Sequence, residues 1–136
     1  MSNMMNRTHN STNPYQRDFK RVLCVCSAGL LRSPTAAWVL GQEPFNYNTR
    51  ACGIEPDYAL IPIDEVLVSW AQEIVTMNWD MTNRIFEEYP KFTKEIVSLD
   101  ILDNYPYRDP ELIRLITKHY TESLERRKAK AIGVTS

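Results

Sequence analysis

Apolar residues along this chain form two kinds of pattern: short unbroken runs, and stripes that recur every three or four positions. Arg21-Val22-Leu23-Cys24-Val25-Cys26 is a run of small and β-branched residues, the signature of a strand covered on both faces and central in a parallel sheet. Ser33-Pro34 offers an N-cap and a first-turn proline for a helix carrying Ala36, Ala37, Trp38, Val39 and Leu40, with Gly41 and Pro44 as its stop. Residues 45–52 alternate in part and predict a second strand, and 53–62, with two prolines, a connecting loop. Pro62 opens a second helix over 63–71, and Glu73-Ile74-Val75-Thr76-Met77 is a third strand. Ile85, Phe86 and Tyr89 set a helical spacing over 82–89, and Glu95-Ile96-Val97-Ser98-Leu99 is a fourth strand. A last helix is predicted over 109–127, with Asp109 as cap, Pro110 at the first position and a stripe of Leu112, Ile113, Leu115, Ile116 and Tyr120.

Strands alternating with helices predict an α/β fold: a four-stranded parallel sheet with helices on both faces, and ligand chemistry at the carboxyl ends of the strands. The turn after the first strand is therefore where a site is expected. Trp38, Trp70 and Trp79 fall at helical positions and are expected in the core, while His9 and His119 have no motif around them.

With 136 residues, one domain is expected to carry every functional part. Residues 1–17 form a polar leader, 18–127 the folded domain and 128–136 a basic, polar tail. The leader lacks the apolar stretch of a signal peptide, and no apolar run approaches the roughly 20 residues that span a bilayer. A cytoplasmic protein without a membrane partner is expected. Three cysteines, Cys24, Cys26 and Cys52, are too few for a disulfide framework and would stay thiols in a reducing compartment. The formal net charge of −1 argues against a general nucleic-acid binder, and the basic run at 126–130 suits a solvated helix end.

A phosphate dianion is best held by converging backbone N–H groups, the positive end of a helix and one bidentate guanidinium. Cys26-Ser27-Ala28-Gly29-Leu30-Leu31-Arg32-Ser33 offers all three: a thiol at a strand end, five intervening amides able to turn inward, and an arginine where a helix begins. The same positive surroundings favour a thiolate, a nucleophile toward phosphorus that needs no histidine base. Ser33 can donate to the sulfur or cap the helix, two roles competing for one oxygen.

Residues 22–36, V-L-C-V-C-S-A-G-L-L-R-S-P-T-A, resemble the signature of the low-molecular-weight protein tyrosine phosphatases, and most of all the short bacterial-type branch of predicted phosphatases. The likeness is weak through 49–53 and 67–77, and clear again over 99–112, L-D-I-L-D-N-Y-P-Y-R-D-P-E-L. The resemblance implies a phosphomonoester hydrolase acting on a phosphorylated protein or small aryl phosphate through a phosphocysteine, with no metal or other cofactor. Cys26 would be the nucleophile, Arg32 and the amides of residues 27–33 the phosphate cradle, and Asp103 the general acid, with Asp100 as second candidate and Asp109 a helix cap. Tyr105 would either wall an aromatic substrate slot or pack, and Tyr107 would pack.

Gly29 stands where the family commonly has Asn, and Ala51 where it often has Ser, so two side-chain braces of the loop are missing together. Glycine still permits a left-handed turn, so shape can survive while rigidity falls. Leu31 replaces the second loop cysteine of many relatives, leaving Cys52 as either a substitute redox partner or a buried strand-end thiol, while Cys24 reads as structural. Two rivals follow: a phosphate- or phosphotyrosine-binding module without efficient turnover, and an arsenate reductase, which would need cysteines beyond Cys52 that the sequence lacks.

Overall fold

The structure, a computed structural model, describes residues 19–27, 32–57, 59–102 and 105–131. Its four strands are β1 (Arg21–Cys26), β2 (Asn48–Gly53), β3 (Glu73–Thr76) and β4 (Glu95–Ser98), and its helices α1 (Arg32–Leu40), α2 (Glu65–Trp70), α3 (Trp79–Glu88) and α4 (Pro110–Ala131). Every pairing is parallel and the order is β2-β1-β3-β4, so β1 lies inside the sheet. That position explains the unbroken apolar run: Val22, Leu23, Cys24 and Val25 are all fully buried.

The chain steps from β1 one way to β2, then back across β1 to β3 and on to β4. Right-handed crossovers therefore put α1 on one face and α2 and α3 on the other, with α4 packed beside α1. The direction of travel reverses between β1 and β3, which opens a crevice at the carboxyl ends of these strands.

Several boundaries differ from the sequence expectation, each through a local hydrogen bond or ring contact. Helix α1 begins at Arg32, so Ser33 lies inside the first turn and is not its cap. Strand β2 starts at Asn48 because Phe45 and Tyr47 turn instead onto Tyr120, at centroid distances of 5.3 and 5.9 Å, with Asn46 left-handed between them. Helix α2 starts two residues late because Asp64 caps it, accepting from Leu67 N at 2.9 Å. Asn78 caps α3, accepting from Met81 N at 3.0 Å, which brings Trp79 to the first turn with 63% of its surface exposed. Trp79 is thus not a core residue, whereas Trp38 and Trp70 pack on the core as expected. Helix α4 runs four residues past the predicted end, and Asp109 caps it, accepting from Glu111 N and Leu112 N at 2.9 and 3.3 Å.

The amino ends of the strands are closed by a buried carboxylate. Glu73, fully buried at the start of β3, accepts from Lys20 Nζ at 2.7 Å, Arg127 Nη1 at 2.6 Å and the Tyr120 hydroxyl at 2.6 Å. Part of the basic run at 126–130 is therefore structural. Among the described residues no helix is long and apolar enough to cross a membrane.

Candidate active site

Strand β1 delivers Cys26 to the carboxyl edge of the sheet, and α1 starts six residues later with Arg32. Both are almost fully buried, Cys26 at 3% and Arg32 at 2% exposure. The thiol donates to Ser33 Oγ at 3.2 Å, and the Ser33 hydroxyl donates in turn to the Cys52 carbonyl at 3.1 Å. Ser33 can do this because it sits in the first turn of α1, with its backbone already helical and its side chain turned to β1 and β2. Ser33 therefore takes neither role posed by the sequence: its oxygen accepts from the Cys26 thiol and its proton goes to the Cys52 carbonyl.

The loop rim is stitched to its neighbours by backbone bonds. Ile54 N donates to Cys26 O at 2.8 Å and Glu55 N to Ser27 O at 3.0 Å, so the segment after β2 extends the pairing past the strand ends. Arg84 of α3 clamps that segment from the other side, donating to Glu55 Oε1 at 2.6 Å. The Arg32 guanidinium donates to Ile101 O at 2.7 Å, joining the start of α1 to the segment after β4.

That segment carries the acid candidates. Asp100 is exposed and left-handed (φ 57°), and its flanks are held by Leu99 N to Thr76 O at 2.9 Å and Ile101 N to Met77 O at 2.8 Å. Asp103, like Ala28, Gly29, Leu30 and Leu31, lies outside the described residues. Tyr105 is half-buried against the core, whereas Tyr107 is 46% exposed and does not pack inside as expected. Its hydroxyl accepts from Arg108 Nε at 3.0 Å.

His119, given no role from the sequence, reaches from α4 to hydrogen-bond the Leu99 carbonyl through Nδ1. A lone histidine on a helix carries no motif, and only the tertiary fold brings this residue of α4 to the segment after β4. Glu55 and Arg84 were equally invisible, because their partnership spans 29 residues.

Cys24 and Cys52 are fully buried, and burial pushes both thiols well up, helped by the Glu73 charge at Cys24 and by the neighbouring thiols at Cys52. Cys52 pairs in register with Val25, one position away from Cys26, so alternation puts it on the opposite face of the sheet from Cys26. Direct disulfide formation between them would require the strands to come apart.

Solved structures share this fold. The YwlE arginine phosphatase from Geobacillus stearothermophilus superposes with a TM-score of 0.58 at 19% identity, over 82% of this chain and 96% of its own. Wzb from Vibrio vulnificus, solved with benzylphosphonate, gives 0.61 at 18% identity, over 79% and 99%. The tyrosine phosphatase Wzb from Escherichia coli K30, solved with phosphate, gives 0.59 at 17%, over 79% and 98%. This is the fold of the low-molecular-weight tyrosine phosphatases. No protein-family profile and no curated sequence matches the chain. In this phosphatase fold, the Arg32–Ile101 bond joins the start of α1 to the segment after β4.

Proposed function

We propose that this chain is a phosphomonoester hydrolase, specifically a cysteine-dependent protein tyrosine phosphatase that works through a phosphocysteine in a reducing, cytoplasmic setting. The observation that carries this reading is the Cys26–Ser33 hydrogen bond at the N-terminus of α1, with Arg32 buried beside it. A thiol at a strand end, the helix N-terminus that follows it and a guanidinium in the first turn are the parts an anion site needs.

In the first step the Cys26 sulfur attacks phosphorus, a P–S bond forms, and the ester P–O bond breaks as the leaving oxygen takes a proton from an aspartic acid. In the second, that aspartate removes a proton from water, whose oxygen attacks phosphorus while the thiolate leaves. Arg32 and the amides of residues 27–33 balance the phosphoryl charge in both steps. Whenever Cys26 is a thiolate, Ser33 serves best by turning its proton from Cys52 O to the sulfur, which stabilises the leaving group of the second step. Asp103 is the proposed acid, Asp100 the alternative, and Tyr105 a wall of the substrate slot.

The second reading, a phosphate or phosphotyrosine binder with little turnover, is favoured by Ala51, which offers a methyl group in β2 where a hydroxyl could brace the loop. Hydrolysis of an aryl phosphate in the presence of chelator separates the two, using Cys26→Ser, Arg32→Ala and Asp103→Asn. An enzyme loses turnover with Cys26→Ser and slows most on poor leaving groups with Asp103→Asn; a binder holds vanadate and releases no product. Phosphotyrosine and phosphoarginine peptides assayed together decide between the activities named for the structural neighbours.

A further inference from the structure

Arg108 is an exposed cation held against α1, the helix that begins at Arg32. Its backbone is left-handed (φ 56°), a conformation that residues other than glycine rarely adopt. The N–H of this strained residue donates to Thr35 Oγ1 at 2.9 Å, and Thr35 lies in the first turns of α1, three residues after Arg32. The guanidinium stacks over the Trp38 ring at 4.3 Å and the Tyr107 ring at 5.1 Å, and Nε donates to the Tyr107 hydroxyl at 3.0 Å. Helical side chains lean toward the helix N-terminus, so the indole of Trp38 covers the turn that starts near Arg32.

The two carboxylates that follow it in the chain are engaged elsewhere. Asp109 caps α4 and Glu111 pairs with Arg114. Among the described residues no carboxylate pairs with Arg108, and its two terminal amino groups donate to nothing. Stacking on two aromatic faces fixes the orientation of the planar fork and lowers the side-chain entropy that binding would cost. A pre-organised, uncompensated guanidinium of this kind is a receptor for a carboxylate.

We propose that Arg108, on its Trp38–Tyr107 platform, is a second anion site that recognises a carboxylate side chain flanking the phosphorylated residue of a protein substrate. The site rests on the phosphatase reading above and specifies its substrate class as acidic phosphopeptides. Trp38 and Tyr107 act through Arg108 and are positioning residues.

The test is binding of two phosphotyrosine peptides to full-length Cys26→Ser protein, one with Glu and one with Gln on both sides of the phosphotyrosine. The Glu peptide is expected to bind about fivefold more tightly at low salt, the range of a well-oriented surface ion pair, with the preference shrinking as salt rises. Arg108→Gln should bring the ratio to about one, and Arg108→Lys, which keeps the charge but loses the fork and stack, should retain only part of it. Equal binding of both peptides, or a preference that survives in Arg108→Gln, overturns the site and leaves the phosphatase reading standing. Failure to bind either peptide overturns that reading and the site with it.

Discussion

The buried guanidinium of Arg32 donates to the carbonyl of Ile101 at 2.7 Å, so the residue that begins α1 also fixes the segment bearing Asp100. One side chain thus couples the proposed anion site to the acid candidates. Arg32→Ala is expected to lower kcat/KM on an aryl phosphate about a thousandfold, as for loss of a principal charge-stabilising donor. It also leaves the Ile101 carbonyl without this donor, so urea unfolding should show a loss of about 1 to 3 kcal/mol. Arg32→Lys should recover part of the stability and little of the activity, because an ammonium cannot hold phosphate and carbonyl in one plane.

Thiol reactivity separates the three cysteines. Burial keeps Cys24 and Cys52 protonated through the physiological range, and only Cys26 opens onto the loop. Iodoacetate at neutral pH should give a single adduct, on Cys26, which inorganic phosphate slows; all three thiols should react only after denaturation. Adducts on Cys52 in the folded protein would contradict this assignment.

The architecture was legible because β1, β3 and β4 carry apolar runs and the helices apolar stripes, and β1 at Arg21–Cys26 has the predicted bounds, whereas β2, Asn-Thr-Arg-Ala-Cys-Gly, showed only partial alternation. The boundaries that slipped are those set by side-chain caps, Asp64 and Asn78, whose effect depends on which backbone N–H turns toward them. Cys26, Arg32 and Ser33 are close in sequence, so one local motif joins them, the first at the end of β1 and the other two in the first turn of α1. The bonds Arg32–Ile101, Arg84–Glu55 and His119–Leu99 join distant segments, and no local pattern encodes them.

Glu73 holds the amino ends of the strands to α4 through Lys20, Arg127 and Tyr120, at the opposite end of the sheet from Cys26. Glu73→Gln leaves two cations facing a neutral amide. A loss of about 2 to 4 kcal/mol is expected by chemical denaturation, discounted because both cations are partly exposed. Activity of the folded fraction should be retained, which a fluorimetric assay below the unfolding transition checks.

Alkaline stability follows from Tyr120. Burial, the Glu73 charge and its hydrogen bond with Glu73 all raise the phenol above its ordinary value of 10.0. A proton held more tightly when folded stabilises the protein fully below about pH 10 and is lost progressively as pH rises above it. The wild type should therefore lose stability above that pH, and Tyr120→Phe, weaker at neutral pH by about 1 kcal/mol for the lost hydrogen bond, should show a flatter alkaline limb in pH-dependent melting curves.

The most direct measurement is rapid quenching of the wild-type protein during turnover of an aryl phosphate, followed by mass spectrometry of the peptide containing Cys26. The prediction is a burst of phenol matched by phosphate bound to Cys26, slower to disappear in Asp103→Asn. Steady turnover without that adduct, or undiminished hydrolysis by Cys26→Ser, would contradict a cysteine-based phosphatase.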